Sequence, residues 1–500
     1  MKVDSVVIGS GISGLTTAAL LAKKGRQVVL IEKNKHPGGA IKRFVRKGVP
    51  FDVGFHYTGC LGNGEILKAL WDYLKVLPAL TVKPFPASGH DCLQIAGSER
   101  EIHSFFSYAL LEEELNLVFP DEGECITKYL GTIRAVCDSM PFFDINKPIT
   151  PFLYNFFGPS RKGLGDFLTS LTRDADLQAV LTAPAFLYGV SPRVMSLANH
   201  AMVAHTFYSG AYAIDGGGQA IVDTFLQVLT NSGVEIRSNC KAIGISMQND
   251  KVGGVITDQG EIEAGDVVYT GHPTGLLDLV PEGVFRPAYT NRLRDLKNSC
   301  SMFIVFGTIK DGEMRDKLTW TNRYCIPSGL DVLAADQANP EFGAIMLTAP
   351  GRRDSNADET GSAKGVILMR PADWSETKAF DTGNHSHRPE AYQVWKREAT
   401  DRLLDRAERL WGPSARITPL AAGTPLTFRD ELGAPEGAVY GVAHNMNQFL
   451  TGPKTRVPGL WLSGQSTLMT GIVGSSLAGM ITAGEILGLE QTWDEVRQCC

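Results

Sequence analysis

Residues Val3-Asp4-Ser5-Val6-Val7-Ile8 run into Gly9-Ser10-Gly11-Ile12-Ser13-Gly14, and a helical stretch follows from about Leu15 to Lys24. A second apolar run, Gln27-Val28-Val29-Leu30-Ile31, ends in Glu32-Lys33. The order is strand, glycine turn, helix, strand, carboxylate. A dinucleotide-binding βαβ unit requires that order. Gly9 permits the tight turn, Gly11 lets the backbone approach a pyrophosphate, and Gly14 lets the helix pack closely on the strand. Ile12 and Ser13 open a helix whose free N–H groups and positive dipole end suit phosphate. Glu32 stands where a carboxylate can hold ribose hydroxyls. Its charge argues against a 2′-phosphorylated cofactor, so FAD and NAD both remain.

The chain has 500 residues, which points to two domains. Hydrophobic residues make up 43% and charged ones 20%, enough for a large core. The net charge of −6 gives nucleic-acid binding no support. The chain enters its first strand almost at once, with no secretory leader, and no apolar run reaches the ~18 residues of a membrane span. The expected location is cytoplasmic, either soluble or peripheral to the inner face of a membrane. Nine cysteines form no C-x-x-C pair. That fits reduced thiols, and argues against a disulfide framework or a flavin disulfide reductase. The Cys499-Cys500 end resembles a double-prenylation tail, but no polybasic stretch precedes it, so it reads as a plain chain end.

Glycine patterns recur further along. Gly38-Gly39-Ala40 lets the backbone run close under a bound cofactor. Phe51-Asp52-Val53-Gly54-Phe55-His56-Tyr57-Thr58-Gly59 is too rich in glycine and polar groups for a plain strand. Near the end, Gly459-Leu460-Trp461-Leu462-Ser463-Gly464-Gln465 reads as a short strand ending in glycine. Gly471-Ile472-Val473-Gly474 then opens a helix to about Leu487. Two glycine-led helix starts, one at each end of the chain, favour a flavin dinucleotide over a mere last βα unit.

The middle reads more coarsely. Helices are expected over about Asn63–Tyr73, after Phe119-Pro120, over Leu164–Leu187, Ala220–Ser232 and Glu390–Trp411. Strands are expected at Val234–Arg237, Ala242–Ile245, Lys251–Thr257, Glu261–Ala264 and Asp266–Gly271, with Asp258-Gln259-Gly260 as a hairpin turn. Further strands are Met302–Ile309, Ala344–Thr348 and Gly365–Arg370, and Arg352–Gly361 is a polar loop without pattern. The stretch 141–158 gathers six aromatic residues among prolines. It reads equally as core under a substrate cavity or as an exposed flap that touches membrane.

At residues 51–59 the chain resembles the phytoene desaturase, carotenoid isomerase and retinol saturase group of flavoproteins, in which a segment of this form follows the glycine pair. The resemblance covers nearly the whole chain and is densest at 3–59, 208–245 and 458–488. It implies an α/β fold: a Rossmann-type, glutathione reductase-like FAD-binding domain interleaved with an α+β substrate domain. The first would hold residues 1–79, 208–272 and 458–500, and the second 80–207 and 273–457. It implies that Gly54, Phe55 and His56 pass near the flavin ring and that Lys241-Ala242 lies against the adenosine. Gly464, Gln465, Gly471, Ile472 and Val473 would face the rest of the cofactor. Gln465 departs from the acid common there, but an amide can still hydrogen-bond.

The implied activity is saturation, desaturation or isomerisation of a C=C bond in a conjugated polyene or isoprenoid lipid. With one dinucleotide fingerprint, electrons would come from a separate donor, from transient nicotinamide binding or from the substrate. An apolar tunnel would hold the lipid over the flavin, whose N5 exchanges hydride. Saturation also needs a proton, and His56 and Tyr57 are the candidates. A plain alternative has His56 only bonding backbone and wedging the flavin. His205, Tyr208 and His272 are weaker candidates. No residues show metal-ligand spacing and no G-x-S-x-G elbow appears. Two other functions fit the same scaffold: an amine- or porphyrinogen-type oxidase that consumes O2, and a non-redox, GDI-like lipid-binding protein.

Overall fold

Two seven-stranded sheets organise the chain in the computed structural model, which describes residues 2–156, 162–310, 312–333, 343–383 and 387–499. In the first sheet Lys2–Ile8 lies between Val28–Ile31 and Gly260–Tyr269, parallel to both. Glu235–Arg237 and Leu460–Leu462 extend this parallel core on either side. Val6, Val7, Val29 and Leu30 are buried, as strands covered on both faces demand. The hairpin Ala242–Gln248 and Lys251–Thr257 continues the sheet in antiparallel fashion. Glu261–Ala264 and Asp266–Gly271, expected as separate strands, belong to one strand, Gly260–Tyr269. Its ladder with Lys2–Ile8 runs on past Gly265 without a break in register, so that glycine does not end it.

The second sheet has the order Ile417–Gly423, Ser301–Ile309, Gly365–Ala372, Ile345–Thr348, Thr321–Ile326, His90–Ile95, Glu101–Phe105. Only Thr321–Ile326 and His90–Ile95 pair in parallel, and that pairing joins two distant stretches of chain. Side chains alternate across it. Phe303, Val305, Leu347 and Leu368 pack with Ala399, Leu403 and Ala407 of the helix Glu390–Trp411. Met302, Ile304, Met346 and Met369 face the other way, toward a large cavity.

Helix Ile12–Lys23 and helix Gly471–Leu487 pack together at close range. A Cβ on Gly479 would stand 2.6 Å from the Ser13 carbonyl oxygen. Thr17 Oγ1 donates to both the Ser13 and the Gly479 carbonyls, at 2.8 and 3.3 Å. The contact therefore depends on a missing side chain.

The helical expectation over Leu164–Leu187 is corrected. The stretch forms Leu164–Leu171, Ala175–Thr182 and a 3-10 turn, Ala183–Leu187. Asp174 makes the break: its carboxylate accepts from Leu177 N–H at 2.9 Å and so caps a new helix. Helices Tyr108–Val118 and Leu197–Tyr208 carried no clear signal. In the aromatic stretch 141–158, Phe142 is buried edge-on against Phe152 and Trp493, and Phe143 packs on His205. These three rings pack against the core. Residues 157 and 158 lie outside the described residues. Among the described residues no helix is long and apolar enough to cross a membrane.

Candidate cofactor and substrate site

The parallel sheet ends at one long cavity of about 840 Å³. This is near the top of the range for small-molecule sites. Gly9, Gly11, Ile12 and Ser13 line one end, with Glu32, Lys33, Gly38, Gly39 and Ala40 beside them. Gly54, Phe55, His56 and Tyr57 line its middle wall together with Ala242, Gly464, Gln465, Gly471, Ile472 and Val473. Of the residues expected to hold a cofactor, Gly14 alone is absent from the wall. A Cβ there would sit 2.0 Å from the Gly9 carbonyl oxygen, so its place is packing.

Ser10 ties three of the motifs together. Its N–H and Oγ–H both donate to Glu32 Oε2, at 3.1 and 2.6 Å, and its Oγ accepts from Gly38 N–H at 3.0 Å. Glu32 Oε1 accepts from Asn34 N–H at 2.9 Å. The buried carboxylate is thus fixed from both sides at the cavity wall.

Helix starts decide where an anion can bind. The helices beginning at Ile12 and Gly471 have no side-chain cap and no acid in the first turn. Their free N–H groups and positive dipole ends are left for a ligand. A Cβ on Gly11 or Gly471 would meet no protein atom within 4 Å, so both glycines leave a cradle open. The third glycine-led helix, Gly217–Asn231, is different. Asp52 accepts from Gly218 N–H and Asp354 from Gly216 N–H, both at 3.1 Å, so its start is already filled by the chain's own carboxylates. These two acids in turn hold Arg43.

His56 half-emerges at the cavity wall. Burial, then the charge of Arg353, lowers it to about 3. This shift favours the neutral ring at physiological pH. Its Nε2 is buried and without a hydrogen-bond partner. An orphaned ring nitrogen between two open glycine cradles fits a polar, ring-bearing ligand such as a flavin nucleotide.

Beyond His56 the wall turns apolar. Phe186, Leu187, Val203, Phe207, Phe428 and Val439 join Met302, Ile304, Met346 and Met369. Methionines make an adaptable surface for a long hydrocarbon. Ile304 is paired with Met369, and Met369 with Met346, so three neighbouring strands put one face into this chamber.

Residues 7–74 match the family of NAD(P)-binding Rossmann-like domains. Over nearly its whole length the chain is similar to three curated proteins. It is 26% identical to all-trans-retinol 13,14-reductase of Danio rerio, over 97% of this chain and 86% of that one. It is 26% identical to the chloroplastic prolycopene isomerase of Daucus carota, over 98% and 81%. It is 25% identical to hydroxyneurosporene desaturase of Rubrivivax gelatinosus, over 96% and 93%. Along nearly its whole length the chain is thus similar to proteins named as a retinol reductase, a prolycopene isomerase and a hydroxyneurosporene desaturase. Its fold is also that of an oxidoreductase from Methanosarcina mazei, with a TM-score of 0.63 at 17% identity over 96% of this chain and 99% of that one.

In this chain the segment 54–59 is held by residues the sequence did not single out. Arg353, from the stretch expected to be a patternless loop, is buried. It donates to the backbone oxygens of His56 and Thr319, at 2.9 and 2.7 Å, and to Asn322 Oδ1 at 3.3 Å. Its guanidinium lies 4.7 Å from the Phe85 ring centroid. Tyr57 packs among Phe85, Phe106 and Phe207. The other histidines serve structure. His205 shares a hydrogen bond with Tyr108, and His272 bonds Thr274 and Asn298. Tyr208 is buried and does not line the large cavity.

Proposed function

We infer that this chain is an FAD-dependent oxidoreductase acting on a C=C bond of a conjugated polyene or isoprenoid lipid. One observation carries the reading: a single cavity is lined both by the glycine turns at Gly9–Ser13 and Gly471–Val473 and by an apolar set with Met302, Met346, Met369 and Phe428. FAD bound there would supply hydride exchange at its N5.

The chain's own groups do the rest. The N–H groups at Gly11 to Ser13 and at Gly471 to Val473 would hold phosphate and the electron-rich edge of the ring. Glu32 would take ribose hydroxyls, and Lys241-Ala242 would flank the adenosine. Gly38, Gly39, Ala40 and Gly464 let backbone lie close, and Gln465 offers an amide. Gly54, Phe55 and His56 would face the ring. The neutral His56 would fill its free Nε2 with a cofactor hydrogen bond. The apolar chamber excludes water and uses contacts along the hydrocarbon to set which bond is presented. Tyr57 is the proton donor that remains.

The test is anaerobic photoreduction of the holoprotein, followed by a panel of retinoids and carotenoids. Reoxidation by one of them without O2 is the expected result. Reoxidation by O2 alone, with H2O2 release, would mean an oxidase. Colourless protein that takes up no added FAD would mean a non-redox lipid binder.

A further inference from the structure

Behind Tyr57 lies a carboxylic acid that the reaction, as described so far, does not use. We propose that Asp91 is a proton relay, a carboxyl that passes a proton through the Tyr57 hydroxyl to the substrate chamber. The proposal rests on the polyene reading of the same site.

Asp91 sits near the start of strand His90–Ile95, directly opposite Asn322. Asn322 Nδ2 donates to its Oδ1 at 2.7 Å, and its Oδ2 lies 3.3 Å from the Tyr57 hydroxyl, which donates to the ionised carboxylate and accepts from the protonated carboxyl. The amide of Asn322 cannot turn round, because its Oδ1 accepts from Thr348 Oγ1 at 2.6 Å and from Arg353. Among the described residues Asp91 is in no ion pair, and Arg353 directs hydrogen bonds to Asn322 and to two backbone oxygens. The groups that face the carboxyl are Tyr57, Tyr208, Tyr324 and Arg353, with Cys92 from its own strand. A half-buried carboxyl without an ion-pair partner holds its proton to higher pH than an exposed one. Burial raises it to about 7, against the pull of its hydrogen bonds and of Arg353.

Position makes this proton useful. Tyr57 lines the large cavity, and Asp91 lines a second, small one together with Ser104, Tyr208 and Tyr324. Leu187 and Phe207 line both, so the two cavities share a wall. The small cavity measures about 20 Å³, room for one water with polar partners. Small cavity, carboxyl, phenol and chamber therefore stand in sequence.

Saturating a C=C bond puts a hydride on one carbon and a proton on the other. The hydride comes from two-electron-reduced flavin, which is left oxidised. The proton leaves the Tyr57 oxygen as the new C–H bond forms. A phenolate there is strongly disfavoured, since burial holds the Tyr57 hydroxyl well above its ordinary value. The Asp91 proton moves onto it, and the carboxylate is reprotonated from the small cavity. Asp91 touches neither substrate nor cofactor, so it is a positioning residue that acts through Tyr57.

Infrared titration of the oxidised holoprotein reads the carboxyl without any turnover. The expected result is a buried carboxyl C=O band that fades with a midpoint near pH 7, persists in Tyr57→Phe and is missing from Asp91→Asn. The flavin absorption spectrum of each variant confirms an intact fold. Single-turnover reoxidation of the photoreduced protein by a polyene, chosen because it reoxidises the wild type, reads the transfer. The wild-type rate should fall as pH rises through about 7, and the Asp91→Asn rate should be at least about tenfold lower and flat with pH. Absence of the titrating band overturns the proposal, and so does an Asp91→Asn pH profile identical to the wild type. A titrating band in a protein whose reduced flavin no polyene reoxidises overturns the polyene reading instead, and leaves the Asp91 carboxyl assignment supported.

Discussion

The hydroxyls of Ser13 and Ser463 lie 2.6 Å apart although 450 residues separate them. Ser13 opens the first helix, and Ser463 follows the last strand of the parallel sheet. This contact brings the glycine turns at the two ends of the chain onto one cavity. A nucleotide in the cradle would bridge segments 450 residues apart.

Gly11→Ala tests the cradle. The backbone at Gly11 has φ −64° and ψ 170°, which alanine adopts without strain, and its Cβ would point into open space. The variant should fold with stability within ~1 kcal/mol of the wild type, because no protein contact is crowded. FAD affinity should fall at least about tenfold, because the methyl occupies the phosphate approach. Quenching of flavin fluorescence on titration into apoprotein gives the affinity, and urea unfolding gives the stability. Unchanged affinity would remove the pyrophosphate from this turn.

The cradle was legible because its chemistry is local. Gly9, Gly11, Gly39 and Gly471 are needed where backbone must bend or be approached, and glycine marks such places in any sequence. The chamber was half legible. The strands carrying Met302, Ile304, Met346 and Met369 were readable from their apolar runs, but which face meets the cavity depends on a sheet register that joins residues 90–105 to 301–423. Arg353 and Asp91 were not legible. Each looks like an ordinary surface charge until a distant strand or loop buries it, and burial is a tertiary property. Arg352–Gly361 shows the limit best: a polar run without period supplies Arg353 and Asp354, both buried.

Arg43 joins that loop to the nucleotide end. It pairs with Asp52 at 2.9 Å and Asp354 at 2.7 Å, and all three side chains are at most 11% exposed. Removing the cation leaves two buried carboxylates facing each other without compensation. Arg43→Ala should therefore lose about 3–5 kcal/mol of unfolding free energy. Arg43→Lys keeps the charge but not the forked geometry and should lose less. Urea denaturation at neutral pH measures both. A loss under about 1 kcal/mol in Arg43→Ala would show that water reaches these acids.

Met369 sits at the centre of the three-strand face, between Ile304 and Met346. Met369→Trp should fill the chamber while leaving the nucleotide cradle untouched. FAD content should stay at the wild-type level and reoxidation of reduced flavin by a polyene should slow at least about tenfold, with an overpacking cost of ~1–3 kcal/mol. Met369→Leu nearly conserves volume and should cost under ~1.5 kcal/mol, with reoxidation kept. Equal reoxidation rates in wild type and Met369→Trp would place the substrate elsewhere.

Acid should destabilise the protein early, and histidines are the cause. Burial lowers His56 and His200 to about 3, and His205 and His272 to about 4. Unfolded, each titrates near its ordinary value of ~6.5. Between about pH 4 and 6.5 the unfolded chain binds the additional protons, so stability falls as pH falls through that window and is flat above it. Asp91 works the other way. Its raised value means that the folded state holds one more proton than the unfolded between about pH 4 and 7. His90 is lowered as well, and Asp52 and Glu65 are raised like Asp91, so the histidines still outnumber the carboxyls that oppose them and stability falls with acid. Urea unfolding at half-unit steps between about pH 5 and 7 measures the slope. His200, bonded only to Tyr129 and Tyr188, is remote from the cavity, so His200→Gln should remove part of the histidine contribution without altering flavin binding. A stability that stays level or rises on acidification would mean that these rings are already protonated in the fold.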